Sequence, residues 1–291
     1  MKKFRIIVLA FSIVVFAVFG FVTIRDMITS DHSAPVITAD SDSIEASVSA
    51  TDKELLRGMY AADNRDGDVT NTLVVVSRGK FVSRNMVKVN YAAFDQSNNV
   101  GLYTRNVAYT DYVSPRFRLI QPMRFLSGNS SYDYLKSVRA EDCLDGDISG
   151  QVKINLGDME SLSDTISRRA VYLQVTNSAG DSSVLTLYAT FENYSSYSQA
   201  SPALSEYVIY TRAGERPNLT ENISGIWANG GRTKFTDSSY SIEDVHINDS
   251  GVDYNTPGVY YVYYQLTRTG RSGAEENMGS ALLTLVVEAA A

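Results

Sequence analysis

Ala62-Asp63-Asn64-Arg65-Asp66-Gly67-Asp68-Val69-Thr70 returns about 80 residues later as Glu141-Asp142-Cys143-Leu144-Asp145-Gly146-Asp147-Ile148-Ser149. In both copies an Asp-Gly-Asp element leads into a β-branched residue. Aspartate accepts hydrogen bonds from its own downstream backbone and glycine tolerates positive φ, so the element reads first as a turn. Each copy is followed by an alternating strand that ends in a polar turn, at residues 87–99 and 170–180, and then by a closing strand near residues 102–108 and 184–191. Self-similarity at a fixed period marks repeated structural units, and it takes precedence over any single motif.

A third unit keeps only the closing half. Asn255-Thr256-Pro257-Gly258 is a turn cluster, and it feeds Val259-Tyr260-Tyr261-Val262-Tyr263-Tyr264-Gln265-Leu266, a run rich in strand-forming residues. After a loop near residues 268–278, a strand at 282–287 closes the unit. A proline stands at or just before the first strand of each unit: Pro35, Pro115 and Pro202. These signals divide the chain into a membrane-directed segment at 1–30, a linker at 31–34, and domains at 35–112, 113–197 and 198–291. Short linkers are expected near residues 111–114 and 195–201. Units of 80–90 residues built from short strands with regular turn signals fold as β-sandwiches. The fold class expected is all-β, a tandem of three immunoglobulin-like sandwiches after one N-terminal transmembrane helix.

The Asp-Gly-Asp element, the strand ending Ala93-Phe94-Asp95 ahead of Asn98-Asn99, and the run from Asn255 to Tyr264 resemble a bacterial Ig-like surface-domain family. That family is similar to the Ig-like modules of insecticidal crystal proteins and to cadherin and HYR-type repeats. The likeness covers nearly the whole segment after the first thirty residues. It departs where Asn98-Asn99 stands for the family's Gly-Asn, where Asn177 stands for an aspartate, and where the third unit has no Asp-Gly-Asp. It implies a fold and a surface location and leaves function open.

The start of the chain carries Lys2, Lys3 and Arg5, then nineteen uncharged residues from 6 to 24, rich in Ile, Val and Phe. At about 1.5 Å per residue this run reaches roughly 28 Å, close to the hydrocarbon thickness of a bilayer. The basic flank is expected to stay in the cytoplasm and everything after Arg25 to lie outside. Ala17-Val18-Phe19-Gly20 is a poor cleavage site because phenylalanine sits where a small residue is wanted, so a retained signal-anchor is favoured over a cleaved signal peptide.

Composition narrows what the remainder can do. The net charge is −7; an acidic exterior offers no electrostatic footprint for nucleic acid. Cys143 is alone, which excludes an intramolecular disulfide and any CxxC-type zinc motif. Exported chains without disulfides are more a bacterial than an animal habit. His32 and His246 are the only histidines, too few for a histidine-based metal site or triad. No nucleophile elbow, Walker loop or dinucleotide fingerprint is present, and the chain is not expected to be an enzyme.

Two sets of residues remain as candidate sites. Asp63, Asp66 and Asp68, with Asp95 brought near by the sandwich, form an acidic group that could take calcium, and Asp142, Asp145 and Asp147 form its copy in the second domain. The spacing is not that of an EF-hand loop, and turns stabilised by carboxylate-to-backbone hydrogen bonds, with no cofactor, are the expected reading. Trp227, in a glycine-rich stretch of the most divergent unit, and Tyr260, Tyr261, Tyr263 and Tyr264 of the closing hairpin are candidate contacts for a protein or glycan partner, because large amphipathic rings dominate binding hot spots. The function expected is a non-enzymatic, membrane-anchored surface protein whose Ig-like domains adhere, bind or act as a spacer. The rivals are a scaffold subunit of an envelope or polysaccharide-assembly complex, and a string of carbohydrate-binding modules.

Overall fold

Alternation is clearest in the long strands of the sandwiches. In β13 (Ile166–Thr176) Val171, Leu173 and Val175 are buried while the residues between them face out, as the two-residue repeat of a pleated strand requires. Each such aliphatic side chain contributes about 1.5–3 kcal/mol on burial. A computed structural model describes residues 2–29, 31–129, 131–228, 231–269 and 275–290. Two compact units result, Met1–Tyr112 and Val113–Ala291.

The first unit opens with helix α1 (Lys2–Thr29) and continues into a seven-stranded sandwich. Its strands are β1 (Val36–Ala39), β2 (Ser43–Ala46), β3 (Met59–Asp63), β4 (Gly67–Asp68), β5 (Val74–Ser83), β6 (Met86–Phe94) and β7 (Val100–Tyr109). One sheet has the order β1-β3-β4 and the other β2-β7-β6-β5, with β2 parallel to β7. Between them lie Ile37, Met59, Ala61, Val87, Val89, Tyr91 and Val107, all buried. A short helix α2 (Asp52–Leu55), closed by a Thr51–Glu54 capping box, inserts Leu55 into this core.

The second unit holds two more sandwiches. The strands are β8 (Arg116–Leu119), β9 (Arg124–Leu126), β10 (Val138–Asp142), β11 (Gly146–Asp147), β12 (Lys153–Ser161), β13 and β14 (Ser182–Glu192), then β15 (Ser201–Leu204), β16 (Val208–Arg212), β17 (Ile223–Ala228), β18 (Gly231–Thr233), β19 (Val245–Asn248), β20 (Gly258–Thr269) and β21 (Glu275–Glu288). The sheet orders are β8-β10-β11 with β9-β14-β13-β12, and β15-β17-β18 with β16-β21-β20-β19. Counted within each domain, these are the connections of the first sandwich, including the parallel pairing of second and last strands. The three Ig-like sandwiches expected from the repeats are therefore one topology used three times. Residues 270–274, in the loop expected between the last two strands, lie outside the described residues.

The two sandwiches of the second unit share a continuous core that includes Phe117, Leu119, Tyr207, Tyr264 and Leu283. Hydrogen bonds cross the join: Tyr207 N–H donates to the Leu119 carbonyl at 2.9 Å, and Phe117 N–H donates to the Tyr210 side-chain hydroxyl at 2.9 Å. Where the sequence suggests a linker near residues 195–201, the chain forms α3 (Tyr194–Tyr197), capped by Asn193, whose side chain accepts from Ser196 N–H.

Burial holds several phenols protonated. It raises Tyr210, Tyr261 and Tyr264 to about 12 and also raises Tyr207 and, in the first unit, Tyr91. An unfolded tyrosine ionises near pH ~10. Below that value both states are neutral and folding gains or loses nothing. As pH climbs from about 10 to about 12 only the unfolded chain ionises, so stability falls over that window. Urea-unfolding midpoints should hold constant from about pH 8 to 9 and drop steeply above about pH 10.

Candidate metal centre

Asp63 ends β3 and pairs across the hairpin with Gly67, whose φ of +71° suits the tight Asp-Gly-Asp turn. Its Oδ1 accepts from the backbone N–H groups of Arg65 at 2.8 Å and Asp66 at 3.0 Å. Those bonds to the charged form hold the Asp63 carboxyl below its ordinary range. Asp95 directly follows β6 and closes the turn to β7. Its Oδ1 accepts from Asn99 N–H at 2.7 Å, and its Oδ2 from the Asn99 side-chain amide at 2.7 Å.

A third carboxylate completes the group. Asp31, in the segment that enters the sandwich from α1, reaches the same place; one oxygen from each of Asp31, Asp63 and Asp95 lies within 4.8 Å of the other two. All three are buried, at 8%, 8% and 7% exposed. The lead-in is held by Asn99, whose amide also donates to the Asp31 backbone carbonyl at 3.0 Å. It is further held by a close approach at Gly101, where a Cβ would stand 2.0 Å from the Pro35 carbonyl oxygen. Any side chain there would push the lead-in off the sheet. Asp31 Oδ1 accepts from Ser33 N–H. Asp31 Oδ2 and Asp63 Oδ2 are buried with no hydrogen-bond partner.

The acidic group expected from sequence therefore divides. Asp63 and Asp95 meet. Asp66 and Asp68 turn away: Asp66 Oδ2 accepts from Gln96 N–H at 2.7 Å, and Asp68 Oδ1 from Thr70 N–H at 2.9 Å. Both serve loop backbone. Asp31, placed in the linker by the sequence reading, takes their place.

The second domain repeats the scaffold with one changed atom set. Asp142 Oδ1 accepts from Leu144 and Asp145 N–H at 2.9 and 3.0 Å, matching Asp63. Asn177 stands where Asp95 stands, its Oδ1 accepting from Asp181 N–H at 2.9 Å. Its amide donates to Asp142 Oδ2 at 3.1 Å, which pairs the oxygen that Asp63 leaves bare. Asp145 is taken up by Ser178, through its N–H and its hydroxyl, and Asp147 accepts from Ser149 N–H. The Asp142, Asp145 and Asp147 set is thus a hydrogen-bonded turn, and its carboxylates do not converge.

The aromatic candidates divide, and only Tyr264 is withdrawn from the surface. Tyr264 is 0% exposed and donates its hydroxyl to the Leu219 carbonyl at 2.9 Å; it belongs to the core and presents no contact surface. Tyr261 is half-buried and packs edge-on against Tyr188 of the neighbouring sandwich, ring centres 5.2 Å apart. Tyr260 is half-buried, its hydroxyl on the Thr256 carbonyl. Tyr263 is exposed and, with Tyr188, Arg168 and Leu162, lines a cleft of 180 Å³ between the two sandwiches of this unit. Trp227 is half-buried near the end of β17, opposite Ser201 and Arg232; Asn229 and Gly230 of its glycine-rich stretch lie outside the described residues.

No protein-family model matches the chain, and no curated protein matches it in sequence. Among solved structures, it is similar to the CBM51-2 and INT domains of Clostridium perfringens ZmpB, determined with GlcNAc, at 19% identity and a TM-score of 0.21 over 53% of this chain. The match spans 26% of that Clostridium chain. It is similar to domains EC1-3 of mouse protocadherin-24 at 11% identity and a TM-score of 0.19, over 89% of this chain and 91% of that one. A lipoprotein of Bacteroides thetaiotaomicron matches at 16% identity and a TM-score of 0.18, over 53% of this chain and 80% of that one. At these scores none of them bears on what the chain does.

Proposed function

We propose that this chain is a non-catalytic, membrane-tethered surface protein whose three Ig-like sandwiches bind a protein or glycan partner outside the cell. The reading is carried by α1. From Phe4 to Arg25 the helix has a mean hydropathy of 2.8, and none of that window is buried. Phe4, Leu9, Phe11, Phe16, Phe19 and Phe21 are all more than 60% exposed, so apolar side chains surround the whole helix. A helix apolar on every side needs cover that no amphipathic surface helix needs. A bilayer supplies that cover at this length. Lys2, Lys3 and Arg5 favour a cytoplasmic N-terminus, which leaves the sandwiches outside.

Binding is assigned to surface rather than to an enclosed pocket. The outer face of β12–β14 exposes Tyr172 and Val184 beside Lys153, Asn155 and Gln174 along an open groove. An exposed ring set among amides suits a glycan or a peptide strand.

Membrane fractionation tests the tether. The full chain should sediment with membranes, resist alkaline carbonate extraction, and yield an N-terminal sequence that still contains α1. External protease should digest the sandwiches in intact cells. Recovery from the medium with a new N-terminus between Gly20 and Ser33 would sink the proposal of a retained anchor.

A further inference from the structure

We infer that Asp31, Asp63 and Asp95 form a calcium site that locks the lead-in segment onto the first sandwich. A buried carboxylate oxygen without a partner is costly, and a buried charge costs far more unless it is paired or bound to a metal. Asp31 and Asp63 each carry one such oxygen, and the two carboxylates converge with a third buried one, Asp95. Mutual repulsion compounds the cost, and a cation removes it at a stroke.

The donor chemistry selects the ion. All three side chains are carboxylates, hard oxygen donors that suit calcium or magnesium rather than zinc or copper. Calcium binds oxygen at about 2.3–2.6 Å, so opposite ligands on one ion stand up to about 5 Å apart. The 4.8 Å envelope of the three oxygens fits within that span. Magnesium holds on to its waters and is bound through one or two carboxylates, which suits a buried three-carboxylate set poorly.

The second domain supplies an internal control. On the same backbone scaffold Asn177 replaces the third carboxylate, and its amide satisfies Asp142 Oδ2 directly. The self-satisfied turn thus differs from the one that needs a cation by an amide in place of Asp95 and by having no counterpart of Asp31 in its carboxylate group. Asp31 also gives the site a consequence that the self-satisfied turn lacks. It comes from the segment that leaves α1, so occupancy pins residues 31–35 to the β6–β7 turn and stiffens the entry to the sandwich.

The test uses the full chain in detergent micelles, stripped of metal, titrated with CaCl2 or MgCl2 and followed by calorimetry and thermal melting. The expected result is one calcium per chain, and a rise of several degrees in the first unit's transition at millimolar CaCl2 over EDTA. MgCl2 should bind at least tenfold more weakly. Asp95→Asn copies Asn177: it should fold normally in EDTA, because its amide can reach Asp63 Oδ2, and should lose the calcium response. Asp31→Ala should weaken calcium binding at least tenfold while leaving Asp142 and its turn untouched. No calcium uptake by the wild-type chain, equal binding of magnesium, or undiminished binding by either variant would overturn the assignment.

Discussion

Arg124→Ala is expected to lower the stability of the second unit by about 3–5 kcal/mol, the usual cost of removing one partner from a buried ion pair. Arg124 grips Glu192 in a bidentate pair through Nε and Nη2, at 2.9 and 2.6 Å, with side chains only 11% and 8% exposed. The same guanidinium donates to Ser201 Oγ at 2.7 Å and to the Ser196 carbonyl. It therefore ties β9 and β14 of one sandwich to α3 and to β15 of the next. Truncation strands the Glu192 carboxylate with only a 3.4 Å hydroxyl contact from Thr190. Because the two sandwiches share a core, the loss should appear as a single transition moved down by about 10 °C. The control is Arg216→Ala. Its side chain is 67% exposed beside Asp249, and solvent screening should keep its cost to roughly 0–1 kcal/mol. Separate transitions for the two sandwiches, or equal effects of both variants, would show that Arg124 does not hold the join.

The repeat was the legible part of the fold, and the reason is local. Asp63 and Asp142 each fix a hairpin through backbone N–H groups two and three residues on, so the chemistry that builds the turn is written within it. The third domain shows no such turn among the described residues. Its β17–β18 hairpin pairs Ala228 with Gly231, where the first pairs Asp63 with Gly67, and its sequence carries no Asp-Gly-Asp. The site was half legible. Asp63 and Asp95 could be grouped because packing the two sheets of a sandwich face to face brings the β3 and β6 ends together. Asp31 could not. Its arrival depends on the missing Cβ at Gly101, which would stand 2.0 Å from the Pro35 carbonyl oxygen, a non-local fact with no periodic signature. The paired oxygens of Asp142 were equally hidden, although the substitution of Asn177 for aspartate was visible as a departure from the family pattern.

Tyrosine faces were the least legible feature, and β20 shows why. Residues 260–264 read Tyr-Tyr-Val-Tyr-Tyr, so apolar and polar positions do not alternate and the sequence cannot say which rings point inward. Pairing with β21 decides it: Tyr263 opposes Leu282 and Tyr264 opposes Ala281, and side chains on one strand then alternate between faces. Tyr264 lands with Val262 and Leu266 in the core, all 0% exposed, while Tyr263 is 47% exposed. Tyr264→Ala should therefore cost about 3–5 kcal/mol, the range for deleting a buried aromatic ring. Tyr264→Phe should cost about 1 kcal/mol, for the hydrogen bond to the Leu219 carbonyl. Tyr263→Ala, one residue away, should stay within about 0.5 kcal/mol of the parent, as surface changes do. Urea denaturation of the three variants reads all of this directly. The asymmetry also makes Tyr263→Ala the useful probe of the cleft it lines: any partner binding it removes is removed from a folded protein. A larger cost for Tyr263→Ala than for Tyr264→Ala would mean that β20 sits one residue out of the register described, with its faces exchanged.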